Sequence, residues 1–214
     1  VARLLQQLNL VLLAFLQGME KSTLLQRVVV GIAIASLFAV ALYLRIAFSH
    51  DVVFGGEWVK FTGVDAYWHI RIVDNLAHNF PHLANLDPYM RYPLGGLTSA
   101  QFPFFDYLVA GVIWVIGLGS PTQHTVDTIA PYFPPVMAAL AIIPVYFIGK
   151  TLFSRWAGVF AAGLVAILPG EFLGRSILGC TDHHVAETLF STTAVMFVVL
   201  ALKNAKREQI TWSQ

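Results

Sequence analysis

Three apolar runs, residues 28–44, 132–148 and 185–202, approach the ~20 residues that a helix needs to cross a bilayer. A water-soluble helix of that length carries a polar stripe at helical period, whereas residues 28–43 contain one small hydroxyl, Ser36. With 57% hydrophobic and 12% charged residues, the chain reads as an all-α integral membrane protein whose first partner is the lipid bilayer. A net charge of +1 provides no electrostatic footprint for nucleic acid, so none is expected as a partner. The single cysteine, Cys180, excludes an internal disulfide and leaves the redox compartment open.

Cytoplasmic flanks of spans collect Lys and Arg, and three basic flanks set the topology: Lys21 and Arg27, Lys150 and Arg155, and Lys203, Lys206 and Arg207. Placing all three inside gives a multi-pass protein of the cell membrane. Residues 1–27 form a cytoplasmic interfacial segment, 28–50 the first span, 51–129 a large external loop and 130–149 the second span. A cytoplasmic loop, 150–155, leads to a third span at 156–174. An external loop, 175–184, precedes the fourth span at 185–202, and 203–214 is a cytoplasmic tail. Residues 3–17 have an apolar face broken by Gln6, Gln7 and Asn9, the pattern of a surface helix and not of a signal peptide. Met19 is a candidate initiator, and the polar run at the end reads as the N-terminal part of a longer protein.

The apolar stretch 102–118 tests this count. It is short for a span, carries Asp106, and is bounded by Pro103 and by Gly117-Leu118-Gly119-Ser120-Pro121. It is therefore expected as a helix on the outer leaflet, inside the large loop. In the same loop Ile70, Val73, Leu76, Ala77 and Phe80 recur at helical spacing and stop at Pro81, predicting a surface helix that begins at Asp65. With that topology two polar clusters, Gly63-Val64-Asp65 and Asp182-His183-His184, face the same, extracellular side.

Acids and imidazoles beside hydrocarbon are costly, which makes both clusters candidates for a site. Two readings fit Asp65: an N-cap of the surface helix, or a cation ligand that uses the lone pairs a cap leaves free. Asp182 allows the same pair of readings at the last span, with Glu187 a second acid near the helix's positive end. At a helix entrance Asp182 and His184 can converge on one ion. Two carboxylates and an imidazole suit Mn²⁺ or Mg²⁺ and admit Zn²⁺, which is less favoured. Cys180, beside Leu178-Gly179, reads as inert. His183 is expected as a solvated neighbour, and His69, His78 and His82 match no metal spacing. Arg175 either meets an anionic lipid head group or snorkels to the interface. Tyr67, Trp68, Tyr89 and Tyr92 are candidates for an interfacial aromatic belt.

Three segments in this order resemble the catalytic subunit of oligosaccharyltransferases: Gly63-Val64-Asp65-Ala66-Tyr67-Trp68-His69-Ile70-Arg71, then Asp87-Pro88-Tyr89 through Tyr92-Pro93-Leu94-Gly95, then Arg175 through His184. The Asp-His-His form is similar to archaeal members, and the resemblance covers nearly everything from Met19 onward. It implies a polytopic, glycosyltransferase-C-type helical bundle that moves an oligosaccharide from a dolichol-linked phosphate or pyrophosphate to the Asn amide of an acceptor polypeptide carrying Asn-x-Ser/Thr. It further implies that Asp65 is catalytic, engaging the acceptor amide and the metal. Asp182 and His184 then complete this chain's share of the metal ligands, and Arg175 is the substrate-binding candidate. The family also has later spans, a long external loop with a further Glu ligand, and a domain with Trp-Trp-Asp, a tripeptide this sequence lacks. A piece of this extent is expected to be inactive alone. Two alternatives stay open: another lipid-phosphate-sugar transferase of the same architecture, and a transporter or non-catalytic membrane subunit whose acids cap helices.

Overall fold

The computed structural model describes residues 23–98 and 103–212. In chain order these form α1 (Thr23–Ile46), α2 (His50–Phe54), α3 (Val64–Asn79), strands β1 (Leu86–Asp87) and β2 (Gly96–Leu97), α4 (Phe104–Ile116) and α5 (Gln123–Ile129). A 3₁₀ turn (Ala130–Tyr132) then leads to α6 (Phe133–Leu140), α7 (Ile142–Leu152), α8 (Arg155–Ile167), α9 (Glu171–Gly174) and α10 (His184–Trp212). Among the described residues, three helical stretches are long and apolar enough to cross a membrane: Leu24–Ile46, Gln123–Leu152 and His184–Ala205. The expected surface helix at 3–17 lies outside the described residues.

Helix ends depart from the expected spans for local reasons. The first helix ends at Ile46 instead of 50, where the Arg45 carbonyl is taken by the Leu178 N–H at 2.8 Å and the next residues turn into α2. Ahead of the second span, helix begins at Gln123 and not at 130, since the Thr122 side chain caps it by accepting the Thr125 N–H. Over 156–174 the regular helix is only Arg155–Ile167. Leu168 precedes Pro169 and is extended, as the proline ring demands of its neighbour. The last helix runs past 202 to Trp212, through a polar stretch free of Gly and Pro.

α7 and α8 make a tight hairpin. A Cβ on Gly158 would come within 2.5 Å of the Tyr146 carbonyl oxygen, and one on Gly149 within 2.8 Å of Gly158 Cα, so the crossing needs glycine on both sides. α1 packs on α8 and α6 around Ala41, Ala139, Ile142, Tyr146, Ala162 and Ala166, while α10 packs on α7 and α6, its Val185 and Ala186 sharing a core with Met137 and Ala138. One end of this bundle is basic: Arg155 donates to the Gln26 side chain, and Lys203 Nζ to the Thr151 carbonyl at 3.1 Å. The other end gathers Arg45, Ala130-Pro131, Ala166 and the 176–184 segment, through bonds described below.

α4 has 13 residues, about 20 Å of helix against ~30 Å of hydrocarbon. α8 is equally short, but the two take different paths. α8 runs from Arg155, beside Gln26 near the start of α1, to Ala166, beside Arg45 near its end. α4 instead packs chiefly on α3 and α5, sharing a core of Ile70, Val73, Leu76, Val109 and Ile113. The β1–β2 ribbon closes the turn-rich segment and is tied to α3 by Asp87, which pairs with Arg71 and accepts the Tyr89 N–H at 3.0 Å.

Candidate functional site

The 176–184 segment is held by backbone bonds at almost every step. Leu178 N–H reaches the Arg45 carbonyl at 2.8 Å, Gly179 N–H the Pro131 carbonyl at 3.1 Å, and Thr181 Oγ1 the Ala130 carbonyl at 3.2 Å. The Gly179 carbonyl accepts the Thr62 N–H at 2.9 Å, which docks the chain leading into α3 directly on this segment. Gly179 has φ +84°, and a Cβ there would sit 2.9 Å from Val53 Cγ2. Glycine is therefore required where α2, α3 and the loop converge. The two polar clusters lie at one end of the bundle as a result.

Asp65 is not the cap of α3. The helix opens at Val64 after Gly63, with no side-chain capping bond, and Asp65 stands exposed in the first turn. Its charge reaches the other cluster: burial, then the Asp182 carboxylate, and also Asp65, push the half-buried Cys180 thiol up, against the opposing Arg175. Asp182 does not cap α10 either, which begins at His184; its Oδ1 accepts the His183 N–H at 2.6 Å.

Asp182 is 3% exposed and forms the hub. Oδ1 lies 2.7 Å from His183 Nδ1 and 3.3 Å from His69 Nε2. Oδ2 lies 3.6 Å from His184 Nε2 and 3.7 Å from Arg175 Nη1. His69 is buried and bridges two carboxylates, its Nδ1 standing 2.7 Å from Asp106 Oδ1. Sequence spacing missed three of these groups. His183 is half-exposed, as expected of a solvated neighbour, but its Nδ1 also lies 3.0 Å from His69 Nε2. Sequence spacing gives His69 no metal motif, and Asp106 counts there only as a charge that argues against a span. Helical phase carried a partial signal, since His69 follows Asp65 by one turn.

The electrostatics follow from this packing. Burial pulls the His69 imidazole down, but bonds to Asp106 and Asp182 and their charges outweigh it and raise its pKa to about 9. Burial would raise Asp182, yet the His69 bond, the charges of His184 and His183 and the His183 N–H lower it to about 2. For His69 the folded value exceeds the unfolded 6.5, so its contribution is complete below pH 6.5 and is lost as pH rises through 9. Chelator-treated protein is accordingly expected to lose thermal stability between pH 6.5 and 9, by at most about 3 kcal/mol. His69→Gln should flatten that limb of the melting curve, and an unchanged slope would contradict the assignment.

Two triads place N and O donor atoms within 4.8 Å of one another: His69, Asp182 and His183; and His183, His184 and Glu187. A mixed imidazole–carboxylate set fits a divalent first-row ion or Mg²⁺. Of the expected ligands, Asp182 and His184 meet, while Asp65 belongs to neither triad. Beside them is a cavity of about 780 Å³, with Val145, Leu164, Leu168 and Phe172 on its apolar wall and Arg175 and His184 on its polar rim. Arg175 also pairs with Glu171 at 2.9 Å.

A family model described as oligosaccharyl transferase STT3, N-terminal, matches residues 30–214. The chain is similar to the dolichyl-monophosphooligosaccharide–protein glycotransferase AglB of Haloferax volcanii, 37% identical over 180 residues, covering 84% of this chain and 17% of that protein. Two crystal structures of the Archaeoglobus fulgidus oligosaccharyltransferase are also similar, each 34% identical. One, a complex with Zn and sulfate, superposes with TM-score 0.71 over 79% of this chain and 21% of that one. The other, tethered with an acceptor peptide containing the NVT sequon, gives TM-score 0.73 over 80% and 20%. The chain thus spans about a fifth of the length of these relatives.

Proposed function

The chain belongs to the STT3 oligosaccharyl transferase family, and from that footing we propose that it forms the N-terminal membrane part of an enzyme of protein N-glycosylation. The whole enzyme moves an oligosaccharide from a dolichol-linked phosphate or pyrophosphate to the Asn side chain of Asn-x-Ser/Thr. The observation that carries this reading is Asp182, a buried carboxylate whose Oδ2 is turned to Arg175 and His184 on the rim of a cavity with an apolar body. A polyprenyl chain suits the apolar wall, and its phosphate suits Arg175, whose guanidinium offers charge-assisted bonds. The name of the Haloferax relative and the sequon peptide on the Archaeoglobus structure support donor and acceptor.

Asp65, Asp182 and His184 are the residues that hold a Mn²⁺ or Mg²⁺ ion, and the Zn and sulfate complex of the relative supports a site tolerant of Zn²⁺. When bound, the ion offsets the negative charge that gathers on the departing phosphate. Asp65, exposed at the start of α3, accepts the hydrogens of the acceptor amide. A carboxylate in that role weakens amide conjugation and makes the nitrogen a better nucleophile. The bundle is of the glycosyltransferase-C type, crosses the membrane four times counting α8, keeps α4 on the outer leaflet, and faces the site outward.

The test uses the full-length protein with a dolichol-linked donor and a fluorescent Asn-Val-Thr peptide, against a Gln-Val-Thr control. Transfer to the Asn peptide is expected to stop with EDTA and to return with Mn²⁺. Arg175→Gln should raise the apparent KM for the lipid donor about tenfold, the scale of one charge-assisted bond, and leave the peptide KM in place. Transfer that continues undiminished after chelation, or no transfer from any dolichol-linked donor, would remove this reading.

A further inference from the structure

Asp182 presents two unlike faces. Oδ1 is engaged by the protein, with His183 Nδ1 at 2.7 Å, the His183 N–H at 2.6 Å and His69 Nε2 at 3.3 Å. Among the described residues Oδ2 has only longer polar neighbours, His184 Nε2 at 3.6 Å and Arg175 Nη1 at 3.7 Å, both of which line the cavity. A carboxylate left to itself samples rotations that exchange its oxygens. Something behind Asp182 keeps them distinct.

That support comes from the external loop. Asp106 is fully buried on α4, where every other buried residue is apolar: Phe105, Val109, Ala110 and Ile113. Burying a carboxylate is costly, and an exposed acid in the first turn would serve the helix dipole as well. The one polar partner Asp106 has among the described residues is His69, Nδ1 to Oδ1 at 2.7 Å, while its Oδ2 has none. Trp68 and Phe105 wall in the His69 ring, edge to face at centroid distances of 4.6 and 5.3 Å. With Nδ1 committed to Asp106, Nε2 is presented to Asp182 Oδ1 at 3.3 Å and to His183 Nδ1 at 3.0 Å, the two groups that meet on that oxygen.

We infer that Asp106 and His69 form a buried strut that orients Asp182, holding Oδ1 inward so that Oδ2 faces Arg175 and His184. Both are positioning residues that act through Asp182. The strut links three segments distant in sequence, α3, α4 and the loop before α10, and it gives the burial of Asp106 its reason. The inference rests on the reading of Asp182 as an ion-binding carboxylate. Carboxylate–imidazole chains of this kind orient metal ligands elsewhere, and breaking one lowers metal affinity about 10- to 100-fold.

The test measures Mn²⁺ binding to the full-length protein by electron paramagnetic resonance, with melting temperature and transfer kinetics alongside. Asp106→Asn is expected to weaken Mn²⁺ binding about 10- to 100-fold, with the transfer rate at saturating Mn²⁺ returning to within about twofold of wild type. His69→Gln keeps a donor that reaches toward Oδ1, so it should lose less Mn²⁺ affinity than His69→Ala; this pair decides the matter if Asp106→Asn does not fold. A lower melting temperature with the Mn²⁺ constant unmoved overturns the strut, as does a His69→Gln protein no better than His69→Ala. If Asp182→Ala binds Mn²⁺ like wild type, the ion-site reading itself has failed. If Asp182→Ala loses Mn²⁺ while folded Asp106→Asn keeps it, only the strut is refuted.

Discussion

Replacing Asp182 by alanine in the full-length protein is expected to cut transfer to an Asn-x-Thr peptide by at least ~10²-fold, the scale of removing one preorganised electrostatic stabiliser from an active site. The carboxylate is buried, is the meeting point of His69, His183, His184 and Arg175, and turns its outward oxygen to Arg175 and His184, which line the cavity. No neighbouring acid replaces it: Asp106 Oδ1 is committed to His69, and Glu187 is exposed beyond His184. Asp65→Ala is expected to lose as much by a different route, through the acceptor amide and the shared ion. Groups that act as a unit are not additive, so Asp65→Ala with Asp182→Ala should be little worse than either alone. Initial rates at saturating peptide and donor check this. Rate losses that multiply would show that the two acids act independently and would dismantle the shared-ion reading. Asp182→Asn serves as the shape control, because it keeps the volume and much of the hydrogen bonding while removing the charge.

Arg45→Ala is expected to have the largest effect on stability. Arg45 is fully buried in the last turn of α1. Its Nε donates to Ser176 Oγ at 2.8 Å, Nη1 to the carbonyls of Ala166 at 2.9 Å and Ala41 at 3.1 Å, and Nη2 to that of Val165 at 3.3 Å. The guanidinium also lies over the Phe172 ring at 5.4 Å. One side chain thus closes the end of α8, where Leu168 and Pro169 leave carbonyls without helical donors, and pins the loop that carries Asp182. Each buried acceptor that loses its donor costs about 1–3 kcal/mol, so the loss of three bonds to α8 and the loop should exceed about 3 kcal/mol. The measurement is maleimide labelling of Cys180 with other cysteines replaced, together with the melting temperature. Cys180 is half-buried in the pinned loop, and its labelling is expected to accelerate at least tenfold in Arg45→Ala. Arg45→Lys should recover little, because a lysine cannot reproduce the planar fork that reaches four acceptors at once. Wild-type labelling and melting in Arg45→Ala would show that the loop is held by its backbone bonds alone.

Local and long-range determinants of the fold are unevenly spread along the chain. Residues 28–44, 132–148 and 185–202 are legible as membrane helices because transfer free energy is a sum over neighbouring residues and needs no tertiary partner. Their ends are less legible. α1 stops at Ile46 because Leu178, more than a hundred residues away, takes a carbonyl, whereas the stop at Leu168 follows from Pro169 and can be read locally. Asp65 looked like a cap from its place before an apolar period, yet Gly63 with φ +92° starts the helix and leaves Asp65 exposed. His183 is half-exposed, as expected, but its contact with His69, 114 residues away, is not legible in the sequence.

Hydropathy alone assigns the membrane class, and three ordered motifs point to Asp65, Asp182, His184 and Arg175. Those are properties of the chain over stretches of a few residues to one helix length. Packing decides the rest: that Asp106 supports His69, that His69 and His183 share one oxygen of Asp182, and that Arg45 anchors the loop through Ser176. These pairs are separated by 37 to 131 residues, as His69–Asp106 and Arg45–Ser176 show. A buried polar group must find its partner wherever the fold brings one, so its choice is made by the closed structure and not by its neighbours in sequence.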